Sequence, residues 1–244
     1  MRRRAVASRA AGIGLGAWAA FAVLGAVVTG GRGAPLPVDR DLLSWSVGHR
    51  PGAAVAVARA LTATGTGAVP YALVVLAGVL LGRTRRRRAL AAGLGVVCLA
   101  AGQMVRQAVM ELVARPRPPR HDWAAVATGW SFPSGHTTTS ALTAGLVILA
   151  TVLRAGRGRT ALCAAVGCWG VLVGLTRVYL GVHWCTDVAG GWLFAAGWLG
   201  GCLWAAVRWL PGDVVDDLSR RATRSAAPTT PPERPGGAGR SRPG

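Results

Sequence analysis

Six stretches of 16 to 21 residues with almost no charge divide this chain, and nothing else about it limits the available folds so tightly. They cover residues 10–29, 66–81, 89–109, 137–153, 161–176 and 188–207. A helix needs about 20 apolar residues, with a lower limit of about 17, to cross a hydrocarbon core about 30 Å thick. The runs therefore predict membrane-spanning helices, with the second and fifth at the short end and Arg106 interrupting the third near its end. All six contain Gly, which membrane helices tolerate better than soluble ones. Four pairs (Gly12/Gly16, Gly78/Gly82, Gly170/Gly174, Gly197/Gly201) have the spacing that permits close helix approach. In a chain with 35 Gly that spacing arises easily, so it predicts no dimer, and the sequence leaves the oligomeric state open.

The expected fold is all-α: a six-helix transmembrane bundle over residues 1–210, then a tail over 211–244. The tail is rich in Pro, Arg, Ser and Thr and has no apolar periodicity, so it cannot bury enough surface to offset its ordering entropy. It is expected to be disordered and drawn to anionic lipid. The first run follows four Arg, as a signal peptide would, but its apolar part is longer than a signal core and no clear Ala-x-Ala site follows. It reads as an uncleaved helix. Between the first two runs, residues 35–65 mix Asp39, Arg40, Asp41, Arg50 and Arg59 with apolar residues, which predicts a short interfacial helix.

Charge fixes the orientation. The chain carries 28 basic residues, all Arg, against 9 acidic ones, for a net +19, yet it is 52% hydrophobic with mean hydropathy +0.40. A soluble nucleic-acid binder would cover its surface with polar groups, and a disordered chain would lack apolar residues. Both classes are excluded, and nucleic acid is not an expected partner. The absence of Lys reads as coding bias, as in a GC-rich bacterial genome, so position rather than the mere presence of Arg must carry any argument. With the amino terminus cytoplasmic, 19 Arg fall in cytoplasmic segments and 9 on the far side, leaving net charges of +15 and +4. Both termini are therefore expected in the cytoplasm of a multi-pass cell-membrane protein. The five Cys form no CxxC pair and read as core-filling residues.

Three short segments fall at the outer ends of spans in this topology: Arg115-Pro-Arg117-Pro118, Pro133-Ser134-Gly135-His136, and Arg177-x5-His183-x3-Asp187. By this chain's composition the second string arises by chance about once in a thousand and the third about once in a hundred. Ser134 suits a helix N-cap, and the first N–H groups of a helix offer donors and partial positive charge to an anion. Gly135 lets that anion approach the backbone. His136 at the same mouth is placed to donate a proton to a leaving oxygen. His183 and Asp187 share a face if the sixth helix begins near Val182, and a carboxylate on one ring nitrogen leaves the other free to attack. Arg117 and Arg177 supply planar forks that match the oxygens of a transferring phosphoryl group. Taken singly, each residue has a plainer reading: a helix cap, an interfacial imidazole, a snorkelling cation. A metal at His183/Asp187 needs further ligands, and Asp39, Asp41, Glu111, Asp122, His49 and His121 show no metal-site spacing.

These segments resemble the type 2 phosphatidic acid phosphatase family of membrane lipid phosphatases, whose pattern is Lys-x6-Arg-Pro, Pro-Ser-Gly-His and Ser-Arg-x5-His-x3-Asp. The resemblance covers about residues 110–187. It implies a metal- and cofactor-free phosphoric ester or diphosphate hydrolase with its site at the extracytoplasmic face. By that resemblance His183 is the nucleophile that forms a phosphohistidine, Asp187 orients it, and His136 is first the acid and later the base. Arg117, Ser134, Gly135 and Arg177 hold the phosphoryl oxygens. The implied partners are membrane lipids and a lipid phosphate substrate: a polyprenyl diphosphate such as undecaprenyl diphosphate, phosphatidic acid or phosphatidylglycerol phosphate.

Two positions depart from the pattern. Thr176 replaces a Ser and keeps the hydroxyl, whereas Met110 stands where the family has Lys. Arg106 lies one turn earlier, but side chains lean toward a helix's amino terminus, here away from the mouth. Arg115 in the loop is therefore the expected source of the missing charge and a further candidate for phosphate binding. Two other readings stand beside this one. A degenerate site that binds lipid phosphate without turnover has Met110 as its support, and a vanadium haloperoxidase-like enzyme shares the constellation but is soluble.

Overall fold

The structure, a computed structural model, describes residues 2–82, 84–154 and 158–209; the tail expected over 211–244 lies outside them. Eight α-helices and a short 3-10 turn make up the regular structure, with no strand among the described residues. They are α1 (Arg2–Gly30), α2 (Pro37–Gly48), α3 (Gly52–Ala63), α4 (Ala68–Leu81), α5 (Arg85–Val113), α6 (Gly135–Arg154), α7 (Arg159–Tyr179) and α8 (Cys185–Trp209), with the turn at Arg120–Asp122. Five of these are long and apolar enough to cross a membrane: α1, α5, α6, α7 and α8. The sixth expected span differs. The apolar run over 66–81 belongs to α4, which at 14 residues is too short alone, and only together with α3, across a 52° bend, is it long and apolar enough for a broken span or a re-entrant loop. Gly67 at the break has φ +69°, a conformation that residues with a Cβ rarely adopt. The segment 35–65 accordingly holds two helices rather than one interfacial helix.

The bundle is built around α6, which packs against α4, α5, α7 and α8, while α1 lies along α8. The start of α6 is unusually polar for a central helix, with Thr137, Thr138, Thr139 and Ser140 buried. Thr138 and Thr139 donate back to carbonyls one turn earlier, at Ser134 (2.9 Å) and Gly135 (2.8 Å), Thr137 donates to the Ser134 hydroxyl (2.9 Å), and Ser140 donates to Thr137 O (3.1 Å) and to Gly170 O of α7 (3.2 Å). Between α1 and α8, Trp18, Phe21 and Phe194 meet edge to face and Phe21 stacks on Phe132. This aromatic cluster fastens the loop before α6 to the bundle. Large apolar side chains on the outer faces, such as Leu15, Val23, Leu76 and Leu94, are exposed, as lipid-facing residues are. No cysteine is in a disulfide, and Cys168 is exposed rather than core-filling as expected.

The close crossings select some of the paired glycines and not others. Gly12, Gly16 and Gly201 have open space where a Cβ would stand, whereas a Cβ at Gly200 would lie 2.6 Å from the Gly14 backbone and one at Gly78 would lie 2.4 Å from Ala92 N. Backbone against backbone has no flexible end to yield. Gly200→Val is therefore expected to cost about 1–3 kcal/mol or more by overpacking, read as a lower thermal midpoint in detergent. Gly201→Val, beside it but facing open space, serves as the comparison.

Three spans, α5, α6 and α8, carry Arg at the end opposite the motif segments. Arg85 to Arg88 open α5 while Arg115 and Arg117 follow its end; Arg154 closes α6 while Gly135 opens it; Arg208 closes α8 while Asp187 lies in its first turn. All three segments thus gather at one end of the bundle.

Candidate active site

His183 lies in the turn between α7 and α8 and is 3% exposed. Its Nε2 is 2.8 Å from an Arg117 guanidinium nitrogen. A guanidinium only donates, so Nε2 must carry the lone pair and Nδ1 the proton. Nδ1 lies 3.4 Å from Asp187 Oδ2 without completing a hydrogen bond. Contacts of this kind are often long before substrate binds. The imidazole is held in the tautomer that leaves the lone pair on Nε2. Burial pushes its pKa down to about 4, the charges of Arg117 and Arg177 push the same way, and Asp187 opposes them. It is therefore neutral at physiological pH.

The arrangement around Asp187 differs from the expected one. Helix α8 begins at Cys185, not near Val182, so His183 precedes the helix and Asp187 is its third residue. There Asp187 Oδ2 accepts from the Trp184 backbone N–H (2.8 Å), half of a capping box, and from the Ser131 hydroxyl. Oδ1 accepts from Arg115 at 2.6 Å. One carboxylate therefore caps the helix, anchors the loop before α6, and faces His183.

Arg115 is not at the pocket mouth. It is fully buried, and beyond Asp187 it donates to Asp39 (2.8 Å) and Thr186 (2.7 Å). A guanidinium between two carboxylates cannot also face a substrate, so it positions Asp187 instead of replacing the missing Lys. Asp39 completes this chain from α2: it accepts from Leu36 N (3.0 Å), Thr186 N (2.9 Å) and Cys185 Sγ (3.1 Å). Burial alone would raise its pKa, but the donors on Thr186, Cys185 and Arg115 outweigh burial and lower it. Trp123 and Trp184 donate to Pro118 O (2.9 Å) and Pro116 O (3.0 Å) and pin the Arg117 loop.

Arg117 is half-buried and reaches three backbone carbonyls besides His183: Val182 (2.7 Å), Gly129 (2.9 Å) and Thr128 (2.7 Å). Arg177, 2% exposed at the end of α7, donates to Thr62 of α3 (3.1 Å), and its Nε has no acceptor. A buried cation with an unused donor is costly unless an anion comes to it. Ser134 precedes the first residue of α6, and its hydroxyl accepts from Thr137 Oγ1 (2.9 Å). His136, in the first turn, has Nε2 3.5 Å from Thr66 Oγ1. His136 and Arg177 line a cavity of about 650 Å³ that is open toward Arg59, Trp123 and Val126. No group of three His, Cys, Asp or Glu at metal-binding separation occurs among the described residues.

The structure thus brings His136, Gly135, Ser134, Arg117, Arg177, His183 and Asp187 to one end of the bundle and places Arg115 behind them. Sequence reasoning missed Asp39, Ser131 and Thr62, which are remote in the chain from the groups they hold. It also misjudged Arg106, whose guanidinium lies against Gly135.

Residues 89–211 match the PAP2 superfamily. The fold is similar to a solved structure described as a transmembrane PAP2 type phosphatidylglycerolphosphate phosphatase from Bacillus subtilis. The TM-score is 0.67 at 23% identity, over 80% of this chain and 94% of that one. No curated protein matches the chain in sequence.

Proposed function

Because the chain belongs to the PAP2 superfamily, we propose that it is a multi-pass membrane phosphatase that hydrolyses a lipid phosphate or polyprenyl diphosphate through a phosphohistidine intermediate. The observation that carries this reading is the 2.8 Å contact between Arg117 and Nε2 of buried, neutral His183. It joins a nucleophile's lone pair to a cation suited to the phosphoryl oxygens.

The steps follow from that pairing. Arg117, Arg177 and the first N–H groups of α6 hold the phosphoryl oxygens. His183 Nε2 attacks phosphorus, the bond to the leaving oxygen breaks, and His136 gives that oxygen a proton. The Nδ1 proton stays facing Asp187, which stabilises the positive charge on the ring. His136, now neutral, takes a proton from water; the hydroxide displaces His183 and releases inorganic phosphate. The Arg-rich ends of the helices, opposite the site, support cytoplasmic termini and an extracytoplasmic site. The cavity beside His136 and Arg177 has both apolar and cationic walls, which suits a substrate with a lipid portion. Phosphatidylglycerol phosphate, named for the structural neighbour, is one candidate beside phosphatidic acid and polyprenyl diphosphates.

The test is phosphate release by purified protein from dioctanoyl phosphatidic acid and from a short-chain prenyl diphosphate, with chelator present. Release on at least one substrate is expected; none on any lipid phosphate would overturn the reading. The free imidazole must be neutral to attack, so kcat/KM is expected to fall on the acid side with a midpoint near pH 4 rather than 6.5. The sign for folding is the same. Between 6.5 and about 4 the unfolded His183 takes up a proton that the folded one excludes, so stability falls as pH drops through that window.

A further inference from the structure

Helix α5 ends beside the site, and its sequence removes the cation that the resemblance leads one to expect there, because Met110 occupies that place. Met110 is 6% exposed, and its methyl group lies 3.3 Å from where a Cβ at Gly129 would stand. It therefore fills the space between α5 and the loop whose Gly129 carbonyl holds Arg117. One turn earlier, Arg106 does not follow the lean of its Cα–Cβ bond. Its long side chain curls toward the mouth: one terminal nitrogen is 3.2 Å from Met110 Sδ and the other 2.8 Å from Gln107 Oε1, while Nε is 3.3 Å from Gln103 Oε1. The guanidinium lies beside Gly135, the first residue of α6. A Cβ there would stand 3.4 Å from both its central carbon and one terminal nitrogen.

We propose that Arg106 is a phosphate-binding residue of this site: reaching across Gly135 to the start of α6, it supplies the charge that Met110 does not, and Met110 holds it in place. The inference rests on the phosphatase reading above. Three observations support it. Gly135 is where an anion would approach the first helix N–H groups, so a guanidinium in contact with it stands beside the same anion. Each terminal nitrogen of Arg106 makes a single contact, which leaves a second N–H on each free to donate. Finally, burial first and the charge of Arg106 after it both lower the pKa of Arg117, while Asp187 opposes them, so the two cations are near one another. Three cations drawn from α5, the loop after it and α7 repel each other, and a phosphoryl group between them would relieve that repulsion.

The experiment compares native protein with Arg106→Ala, Met110→Lys, the double variant and His183→Ala. The readouts are phosphate release from dioctanoyl phosphatidic acid and orthovanadate binding by calorimetry. Arg106→Ala is expected to lower kcat/KM by about 10² to 10³, the usual loss for one transition-state donor, and to weaken vanadate binding. Met110→Lys should recover at least about tenfold of that loss in the Arg106→Ala background, because a Lys there replaces the same charge, and should give no comparable gain in the native background. Arg106→Ala with native turnover and native vanadate affinity would overturn the inference while His183→Ala still tests the phosphatase reading. If the native protein proves inactive on every substrate, vanadate binding decides alone: equal affinity in native protein and Arg106→Ala rejects the role, and weaker affinity in the variant supports it.

Discussion

His183→Ala is expected to lower phosphate release by about 10⁴ to 10⁶, the scale on which removal of a covalent nucleophile acts. Nε2 of His183 is the ring nitrogen that faces the Arg117 fork, and His136 is assigned to the leaving oxygen on the side where the cavity opens. The loss should be one of chemistry and not of folding. Arg117 keeps its three backbone carbonyls at Val182, Gly129 and Thr128 when the imidazole is gone, so the phosphate fork stays in place. Binding of orthovanadate should accordingly weaken far less than turnover does. A direct measurement accompanies the rate. Native protein quenched in base during turnover of a ³²P-labelled substrate should retain a base-stable, acid-labile label, as a phosphorus–nitrogen bond does, and His183→Ala should retain none. Turnover within tenfold of native in the variant would remove His183 from the reaction and with it the proposed intermediate.

The bundle and the three motif segments were legible because both signals are local. A charge-free run reports a span, and Pro133 to His136 or Arg177 to Asp187 report chemistry, without knowledge of anything remote in the chain. What escaped depended on distance or on side-chain length. The bend between α3 and α4 falls at residues 64–67, at the start of the apolar run 66–81, and Arg59 within α3 kept that helix out of a span defined by absence of charge. The role of Arg115 follows from Asp39, 76 residues away in sequence, and no spacing rule links them. Arg106 was misread because the lean of a side chain describes its first bond, while a guanidinium several bonds further on can curl the other way. The start of α8 was placed three residues early because the capping signal there is Asp187 at the third position, a residue already assigned to His183.

That double use makes Asp187→Asn the second large expected effect. Both carboxylate oxygens accept: Oδ1 from Arg115, Oδ2 from Trp184 N–H and the Ser131 hydroxyl, with His183 Nδ1 3.4 Å away. An amide has one oxygen, so its NH₂ must face donors on one side or the other, and at least one buried donor goes unpaired at about 1–3 kcal/mol. The remaining Arg115 charge is still balanced by Asp39 at 2.8 Å, so the variant should fold with a lowered thermal midpoint. Catalysis should suffer more. The positive ring formed when His183 is phosphorylated loses the negative charge that faces it, and nothing then favours Nδ1 as the protonated nitrogen. The corresponding Asp-to-Asn change in a Ser-His-Asp triad costs about 10⁴ in kcat, and a loss of about 10³ to 10⁴ is expected here, with KM little altered because Asp187 does not face the phosphoryl oxygens. The split separates two roles. A kcat within tenfold of native beside a reduced thermal midpoint would make Asp187 a helix cap only, whereas a thousandfold loss in protein that remains folded assigns it to the nucleophile.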